Sequence, residues 1–310
     1  MGMLDQTGKI DWRETERQLA KRFAGPLALN APMADYTSWR VGGPAALMFW
    51  PKDPADCAGA ISYCLEKGIP ALPLGSGTNL LVADAGVDAL VVNMSGLKEL
   101  SWDGPRVRAG AGVPLARLAA QAGQRDLGGL EFAIGIPGSV GGAVLMNAGA
   151  YGCQMADVVV SAEVLGPDGR LAILDAGELG YRYRESRLRE GGWLVMAAEM
   201  ELKPGDGEAI RAAMKDYLES RREKQPLELP NGGSVFKNPT GGGAGRFIDQ
   251  AGLKGLTIGG AQVSPKHANF IVNMGNARAA DIRALIEKVQ ATVLERYGVA
   301  LEREVIYWGF

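Results

Sequence analysis

Apolar positions along the chain follow helical and strand-like spacings in alternation, and this predicts helices alternating with strands. The segment DPADCAGAISYCLEKG has helical spacing, and Asp53 just ahead of Pro54 suits the start of a helix. The short apolar runs ALPLG and ALVVNM predict buried strands on either side of a glycine loop. The segment ADVVVSAEVLGPDGRLAILDA predicts a hairpin, because Pro-Asp-Gly supplies its turn.

The same spacings continue to the end of the chain. A strand at RVRAGAG precedes a helix at VPLARLAAQAGQRDL, and WLVMAAEMELKPGD predicts a strand with an exit turn. The charged amphipathic helix GEAIRAAMKDYLESRREKQ then marks a domain boundary near Pro204. Beyond it we expect a short helix at AGRFIDQAG, strands around ANFIVN, a long helix at ARAADIRALIEKVQATVLERYG and a final strand at EREVIYW. The predicted fold class is therefore α+β.

Length and charge limit the kinds of protein that this chain can be. A chain of 310 residues predicts two or three domains, and its net charge of −2 argues against a nucleic-acid binder. No stretch is apolar enough for a membrane span, and the N-terminal MGMLDQTGKIDWRETERQLAKRF lacks the core of a signal peptide. Three cysteines suit a reducing compartment, with Cys57 and Cys64 expected as core thiols. These features predict a cytoplasmic protein without membrane insertion.

Several common chemistries are excluded by the sequence. The single histidine, His267, rules out a multi-histidine metal site, and we expect no metal. The chain has no GxxxxGK[ST] phosphate loop and no GxSxG elbow. The stretch GSGTNL begins like a dinucleotide fingerprint, but Leu80 stands where the third glycine belongs.

Two neutral, glycine-rich stretches remain as candidate binding loops. In PLGSGTNLLVAD, Gly75 and Gly77 allow backbone N–H groups to converge on an anion such as a pyrophosphate. In IGIPGSVGGAVLMNAGAYG, six glycines permit close backbone approach, while Ile134 and Ile136 offer apolar contact to a planar ring. Each stretch alone could also be a structural turn. Together they suit a large dinucleotide in extended form.

Six motifs in order resemble the UDP-N-acetylenolpyruvoylglucosamine reductase family over nearly the whole chain. These are SWRVGG (38–43), PLGSGTNLLVAD, GIPGSVGGAVLMNAGAYG, YRES (183–186), NGGSVFKNP (231–239) and EREVIYWG (302–309). The resemblance implies a two-lobed FAD-binding region of the vanillyl-alcohol-oxidase type (1–96 and 97–204), followed by a separate α+β substrate-binding domain (205–310). It also implies reduction of UDP-N-acetylglucosamine enolpyruvate to UDP-N-acetylmuramate by NADPH in peptidoglycan precursor synthesis.

The resemblance implies that both glycine loops hold FAD. The absence of histidine before His267 favours noncovalent binding, because no histidine is available to tether the flavin in the cofactor lobes. Arg40 lies in a matching RVGG and is a further cofactor candidate, with an ion pair as the alternative. The cofactor-binding residues implied are Arg40, Gly75, Ser76, Gly77, Thr78, Asn79, Leu80, Ile134, Gly135, Ile136, Pro137, Gly138, Ser139, Gly141, Gly142, Asn147, Ala148, Gly149 and Ala150.

The resemblance also implies three catalytic residues. Arg184 would hold the substrate carboxylate, and the Tyr-Arg-x-Ser register selects it over Arg182. Ser234 would protonate the substrate, although a loop serine bonding backbone is the alternative. Glu304 would assist the enolate or relay the proton, and the motif register selects it over Glu302 on the same strand face. The implied substrate-binding residues are Tyr151, Tyr183, Lys224, Lys237 and Asn238.

The sequence departs from part of the family in one respect. Some members carry an extra loop with a substrate-covering tyrosine, whereas here the only tyrosine between Arg184 and Ser234 is Tyr217, within a helical pattern. This indicates the compact subtype. Two other functions stay open: another FAD-dependent oxidase or dehydrogenase acting on a sugar-derived alcohol, and a non-enzymatic nucleotide-sugar sensor.

Overall fold

A computed structural model describes residues 9–310 and divides the chain into two compact units. Unit 1 comprises the described chain up to Ala31 together with Ala45–Ser76 and Asp88–Leu218. Unit 2 comprises Pro32–Pro44, Gly77–Val87 and Glu219–Phe310. The first eight residues, part of the stretch used above against a signal peptide, lie outside the described residues. The three-way division at 96 and 204 stays a prediction.

The described residues form seven α-helices, several of them as the spacing predicts. They are α1 (Trp12–Ala20), α2 (Pro54–Lys67), α3 (Leu115–Gln124), α4 (Val140–Met146), α5 (Gly207–Lys224), α6 (Ala244–Gln250) and α7 (Ala279–Tyr297). Asp53 caps α2 as expected, since its carboxylate accepts the N–H of Asp56 at 2.8 Å. Within residues 9–310, no helix combines the length and the apolar character that crossing a membrane requires.

The strands of residues 9–310 are mostly short. They are β1 (Leu27–Pro32), β2 (Pro44–Phe49), β3 (Ala71–Leu74), β4 (Leu80–Val82), β5 (Val87–Asn93), β6 (Leu100–Asp103), β7 (Arg106–Gly110), β8 (Leu127–Gly128), β9 (Gly149–Ala150), β10 (Cys153–Gln154), β11 (Val159–Leu165), β12 (Leu171–Asp175), β13 (Leu194–Glu201), β14 (Lys203–Pro204), β15 (Thr257–Ile258), β16 (Ala261–Val263), β17 (Ile271–Asn273) and β18 (Ile306–Trp308).

Unit 1 contains two principal sheets around one apolar core. The first has the order β1-β2-β5-β3, with β3 and β5 parallel and Ala71 opposite Leu90. The second is antiparallel with the order β12-β11-β13-β7-β6. The predicted hairpin is its β11–β12 pair, and Gly169 takes a φ of +77° in the connecting turn. Cys57 and Cys64 lie buried in this core, which confirms their prediction as core thiols.

Unit 2 has its own core, built on one face of α7. Ile282, Leu285, Ile286, Val289 and Val293 recur at helical spacing on that face and are all buried. An antiparallel sheet of order β15-β16-β17 packs against α7, and β18 pairs in parallel with β4. Because β4 is only three residues long and directly follows the first glycine loop, this pairing fixes where that loop ends.

Candidate active site

The first glycine loop, residues 75–80, is closed by backbone contacts on its unit 2 side. Gly77 has a φ of +62°, and a side chain there would collide with the carbonyl oxygen of Tyr36. Only glycine meets both conditions without strain. The carbonyl oxygen of Gly77 in turn accepts the N–H of Ser38 at 3.1 Å, which joins the loop to the SWRVGG segment.

Asn79 connects the same loop to the segment that carries Glu304. Its side-chain nitrogen donates to the carbonyl oxygen of Glu304 at 3.1 Å, and its own carbonyl accepts the N–H of Ile306 at 3.0 Å. The β4–β18 pairing then continues with Leu80 opposite Ile306. Thus a predicted cofactor residue and a predicted catalytic residue are hydrogen-bonded to each other just before the paired strands β4 and β18 of unit 2.

The second glycine loop leads into α4 through a capping serine. Ser139 accepts the N–H of Gly142 at 3.4 Å, and this side chain begins the helix. The N–H groups of Val140 and Gly141 donate to carbonyl oxygens just after β7, both at 2.9 Å. The donors of the first helical turn are therefore used within the protein, and they do not supply an anion site.

Unpartnered donors lie instead in the two loops, which touch each other within unit 1. A side chain at Gly75 would place its Cβ only 2.7 Å from the Oγ of Ser139. Among the described residues, no protein acceptor receives the N–H groups of Ser76, Gly135, Gly138 or Ser139. Neutral backbone N–H groups of this kind are the donors expected for the diphosphate of a dinucleotide.

The same loops also offer apolar surface for a flat ring. Ile134 and Ile136 are half-buried, although the core of unit 1 lies directly behind them. Because Ser76 is exposed and Gly135 and Gly138 are only partly buried, an incoming ligand can reach their N–H groups. The residues present therefore fit FAD. The remaining cofactor candidates of unit 1 lie in these stretches: Pro137, Ala148, Gly149 and Ala150.

Arg184 contacts the NAGAYG stretch directly. Its guanidinium donates to the carbonyl oxygens of Asn147 (3.4 Å) and Gly149, and it lies 5.0 Å from the ring centre of the exposed Tyr183. Arg184 has a φ of +58°, an unusual conformation for a non-glycine residue. The backbone is held there because Arg189 donates to the Arg184 carbonyl at 3.2 Å.

Asn147, which lies in the second glycine stretch, connects that stretch to the YRES loop through buried side-chain hydrogen bonds. It is fully buried, with a φ of +45° at the end of α4. Its side chain donates to the carbonyl oxygen of Arg182 at 2.9 Å and accepts the N–H of Ala156 at 3.0 Å. Asn147 was predicted as a cofactor residue, and the contacts seen in the structure give it a role in holding the loop beneath Arg184.

Tyr151 forms an aromatic stack that the sequence does not reveal. Its ring lies 3.9 Å from that of Tyr217 on α5 at an interplanar angle of 7°, and its hydroxyl donates to the Tyr217 carbonyl at 3.0 Å. Burial raises the pKa of Tyr217, with the neighbouring Cys153 and Glu131 contributing. The helical position predicted for Tyr217 is confirmed. Its ring fixes Tyr151, two residues beyond the Gly149 carbonyl that Arg184 contacts.

In unit 2, the segment that follows Ser234 runs antiparallel to the segment that carries Glu304. The N–H of Glu304 donates to the Val235 carbonyl, and the N–H of Lys237 donates to the Glu302 carbonyl, both at 2.9 Å. This register puts Val235 opposite Glu304, so Ser234 lies one residue from that position. The structure brings the predicted acid and its predicted carboxylate onto neighbouring backbone segments.

The predicted substrate residues of unit 2 differ in their surroundings. Lys237 is buried, and its ammonium forms an ion pair with Glu302 at 2.5 Å. Asn238 accepts the N–H of Ala244, the first residue of α6, at 3.0 Å. Lys224 is exposed at the last residue of α5. Of the three, Lys224 and Asn238 are exposed, whereas Lys237 is buried.

Trp39 connects the SWRVGG segment to the Ser234 loop. It is fully buried, and its indole N–H donates to the Ile271 carbonyl at 2.8 Å. A side chain at Gly232 would collide with its ring. Arg40, the next residue, is exposed with a φ of +56°. The local signal for this packing is the pair of glycines before Ser234, which allows the indole to approach the backbone.

Comparisons with known proteins place these features in a family. Residues 45–175 match a model described as an FAD binding domain, and residues 225–308 match one described as UDP-N-acetylenolpyruvoylglucosamine reductase, C-terminal domain. The chain is 47% identical to UDP-N-acetylenolpyruvoylglucosamine reductase 2 of Symbiobacterium thermophilum, covering 93% of this chain and 94% of that protein. It is 47% identical to the enzyme of the same name from Heliobacterium modesticaldum, covering 93% and 92%.

A solved structure agrees with these sequence relatives. The crystal structure of UDP-N-acetylenolpyruvylglucosamine reductase from Thermus caldophilus matches with a TM-score of 0.78 at 37% identity, covering 92% of this chain and 99% of that one. The predicted α+β fold, with an FAD-binding region followed by a separate C-terminal domain, is confirmed.

Proposed function

We propose that this chain, which belongs to the UDP-N-acetylenolpyruvoylglucosamine reductase family, reduces UDP-N-acetylglucosamine enolpyruvate to UDP-N-acetylmuramate. It uses NADPH as reductant and FAD as cofactor, and its product serves peptidoglycan synthesis. The observation that carries the proposal is the pair of touching glycine loops with unpartnered N–H groups, in a chain with family-level identity over most of its length. We place the reaction in the cytoplasm, where NADPH is available and thiols stay reduced.

FAD, when bound, would carry hydride from NADPH to the β-carbon of the enolpyruvyl group. Hydride addition at that carbon leaves negative charge on the α-carbon, delocalised into the carboxylate, and one proton at the α-carbon completes the lactyl ether. The protein must therefore stabilise a carboxylate that becomes more negative and deliver a proton to carbon.

For the first task we propose Arg184. Its planar guanidinium can present two parallel N–H groups to a carboxylate, and carbonyl oxygens of Asn147 and Gly149 already fix its orientation. A group held in place before the substrate arrives does not have to reorganise during the reaction.

For the second task we propose Ser234, assisted by Glu304. A serine hydroxyl is a weak acid, but the carbon it protonates is strongly basic, and the carboxyl group of Glu304 on the neighbouring segment can pass a proton from solvent to the serine. The backbone register between residues 235–237 and 302–304 supports this pairing. Tyr151, Tyr183, Lys224, Lys237 and Asn238 remain proposals for substrate binding.

An anaerobic titration tests this function. NADPH should bleach the flavin absorbance of the purified protein, and UDP-N-acetylglucosamine enolpyruvate should then restore it with one equivalent of UDP-N-acetylmuramate formed. Reoxidation by oxygen or a sugar alcohol, but not by the enolpyruvyl nucleotide, would instead favour a sugar-alcohol oxidase. Acid precipitation should release the yellow colour into the supernatant, because the flavin is held without a covalent bond.

A further inference from the structure

Asn269, which lies between the single histidine and β17, is buried beside the Ser234 segment. Its side-chain oxygen accepts the N–H of Phe236 at 3.0 Å, and its side-chain nitrogen donates to the Phe236 carbonyl at 2.8 Å. Its backbone carbonyl also accepts the N–H of Val235 at 2.9 Å. Asn269 is 4% exposed, so water does not compete for these bonds.

The opposite edge of the same segment is bonded to the segment of residues 302–304. There the Val235 carbonyl accepts from Glu304, and the Lys237 N–H donates to Glu302. Asn269 and the segment of residues 302–304 therefore bond the backbone polar groups of residues 235–237 from two sides. A shift of the segment would break bonds on both edges together.

We infer that Asn269 is a positioning residue that sets the register between Ser234 and Glu304. This inference rests on the proposed function, and it assigns Asn269 no contact with substrate. A carboxamide both donates and accepts, so the Asn269 side chain can bond the C=O and the N–H of the same residue, Phe236. Aspartate keeps the acceptor for the Phe236 N–H but places a carboxylate oxygen against the Phe236 carbonyl, which repels it.

The test compares Asn269→Asp with Ile286→Ala in stopped-flow measurements of the two half-reactions. Ile286 is buried in the α7 core, so its truncation destabilises unit 2 without touching these hydrogen bonds. We expect Asn269→Asp to slow reoxidation by the enolpyruvyl nucleotide roughly 10²-fold, because misplacing a reacting group by about 1 Å costs that much. Flavin reduction by NADPH should stay within twofold, and the solvent deuterium isotope effect on reoxidation should rise. Ile286→Ala should leave both rates within twofold below its melting temperature.

Equal slowing of reoxidation in the two variants, or an unchanged isotope effect in Asn269→Asp, would overturn the inference. Should Asn269→Asp not fold, hydrogen exchange on the parent protein decides: peptides covering residues 235–237 should exchange slowly, and fast exchange contradicts the account. Failure of the parent itself to be reoxidised by the enolpyruvyl nucleotide would count against the proposed function, and the exchange result would still stand by itself.

Discussion

The groups assigned to the cofactor are backbone N–H groups of two glycine loops, and the unpartnered ones lie in unit 1, whereas the groups assigned to protonation are side chains of unit 2 beside a hydrogen-bonded backbone segment. The two loops approach so closely that a Cβ at Gly75 would meet the Ser139 hydroxyl at 2.7 Å. Next to Ser234, by contrast, residues 235–237 are hydrogen-bonded on one edge to Asn269 and on the other to residues 302–304. The first arrangement presents neutral donors that need no side chain, and in the second the backbone beside Ser234 is hydrogen-bonded along both edges.

We expect the largest effect on turnover from a substitution at Ser234. Ser234→Ala should lower turnover on the order of 10²–10⁴-fold, because a positioned acid is lost. If Ser234 only bonded backbone, the change would cost roughly 1 kcal/mol of stability with near-normal turnover. Steady-state NADPH oxidation, measured beside the melting temperature, separates the two results. Ser62→Ala on α2 is the control and should behave like the parent.

We expect a somewhat smaller loss of turnover when position 184 keeps its positive charge but loses the planar guanidinium. Arg184→Lys should reduce turnover about 10²–10³-fold, since an ammonium cannot make two parallel bonds to the substrate carboxylate. Arg182→Lys is a matched control in the same loop, because Arg182 is exposed and pairs with Glu185 at 3.5 Å. Turnover of Arg184→Lys within a factor of two of Arg182→Lys would show that Arg184 is not the carboxylate clamp.

Changing a glycine loop should weaken the cofactor without altering the protonation step. Gly75→Ala would push against the Ser139 hydroxyl and disturb the cap of α4. We expect FAD to bind on the order of tenfold more weakly, the equivalent of one capping interaction. The dissociation constant of FAD from reconstituted apoprotein measures this. Gly245→Ala, where a Cβ meets neighbours at 3.6 Å, should bind FAD normally.

The smallest effect concerns the thiols, which lie in unit 1 and take no part in the proposed chemistry. Burial raises the pKa of the Cys57 and Cys64 thiols to about 12, with Asp56 adding to the shift at Cys57. Both therefore remain protonated at pH 8 and should resist alkylation, whereas Cys153 is exposed. Mass spectrometry should find only Cys153 labelled in the folded protein and all three after unfolding. Labelling of Cys57 in the native state would contradict the packing described.

The sequence was sufficient where an element is specified locally. The start of α2 could be predicted because Asp53 and Pro54 act through their own chain neighbours. The short helix α4 could not, since VGGAVLM contains two glycines with poor helix propensity. It forms because Ser139 caps it and because its first N–H groups meet carbonyl oxygens of a distant segment.

Prediction of the site from the sequence meets the same limit. Motif order identified Arg184, Ser234 and Glu304 as candidates, but nothing nearby in the sequence indicates that Asn269 bonds Phe236 or that Tyr217 stacks on Tyr151. Lys237 is a further example, because its pairing with Glu302 depends on how two distant segments align. Such contacts arise from tertiary register, which local spacing does not encode.

The assignment of cofactor binding to the glycine loops and of protonation to Ser234 is tested most directly by stopped-flow traces of Ser234→Ala in the two half-reactions. Flavin reduction by NADPH should match the parent, because the glycine loops of unit 1 are intact. Reoxidation by UDP-N-acetylglucosamine enolpyruvate should be slowed on the order of 10²–10⁴-fold, because protonation then lacks its acid. Equal slowing of both half-reactions, or no slowing of reoxidation, would contradict the account.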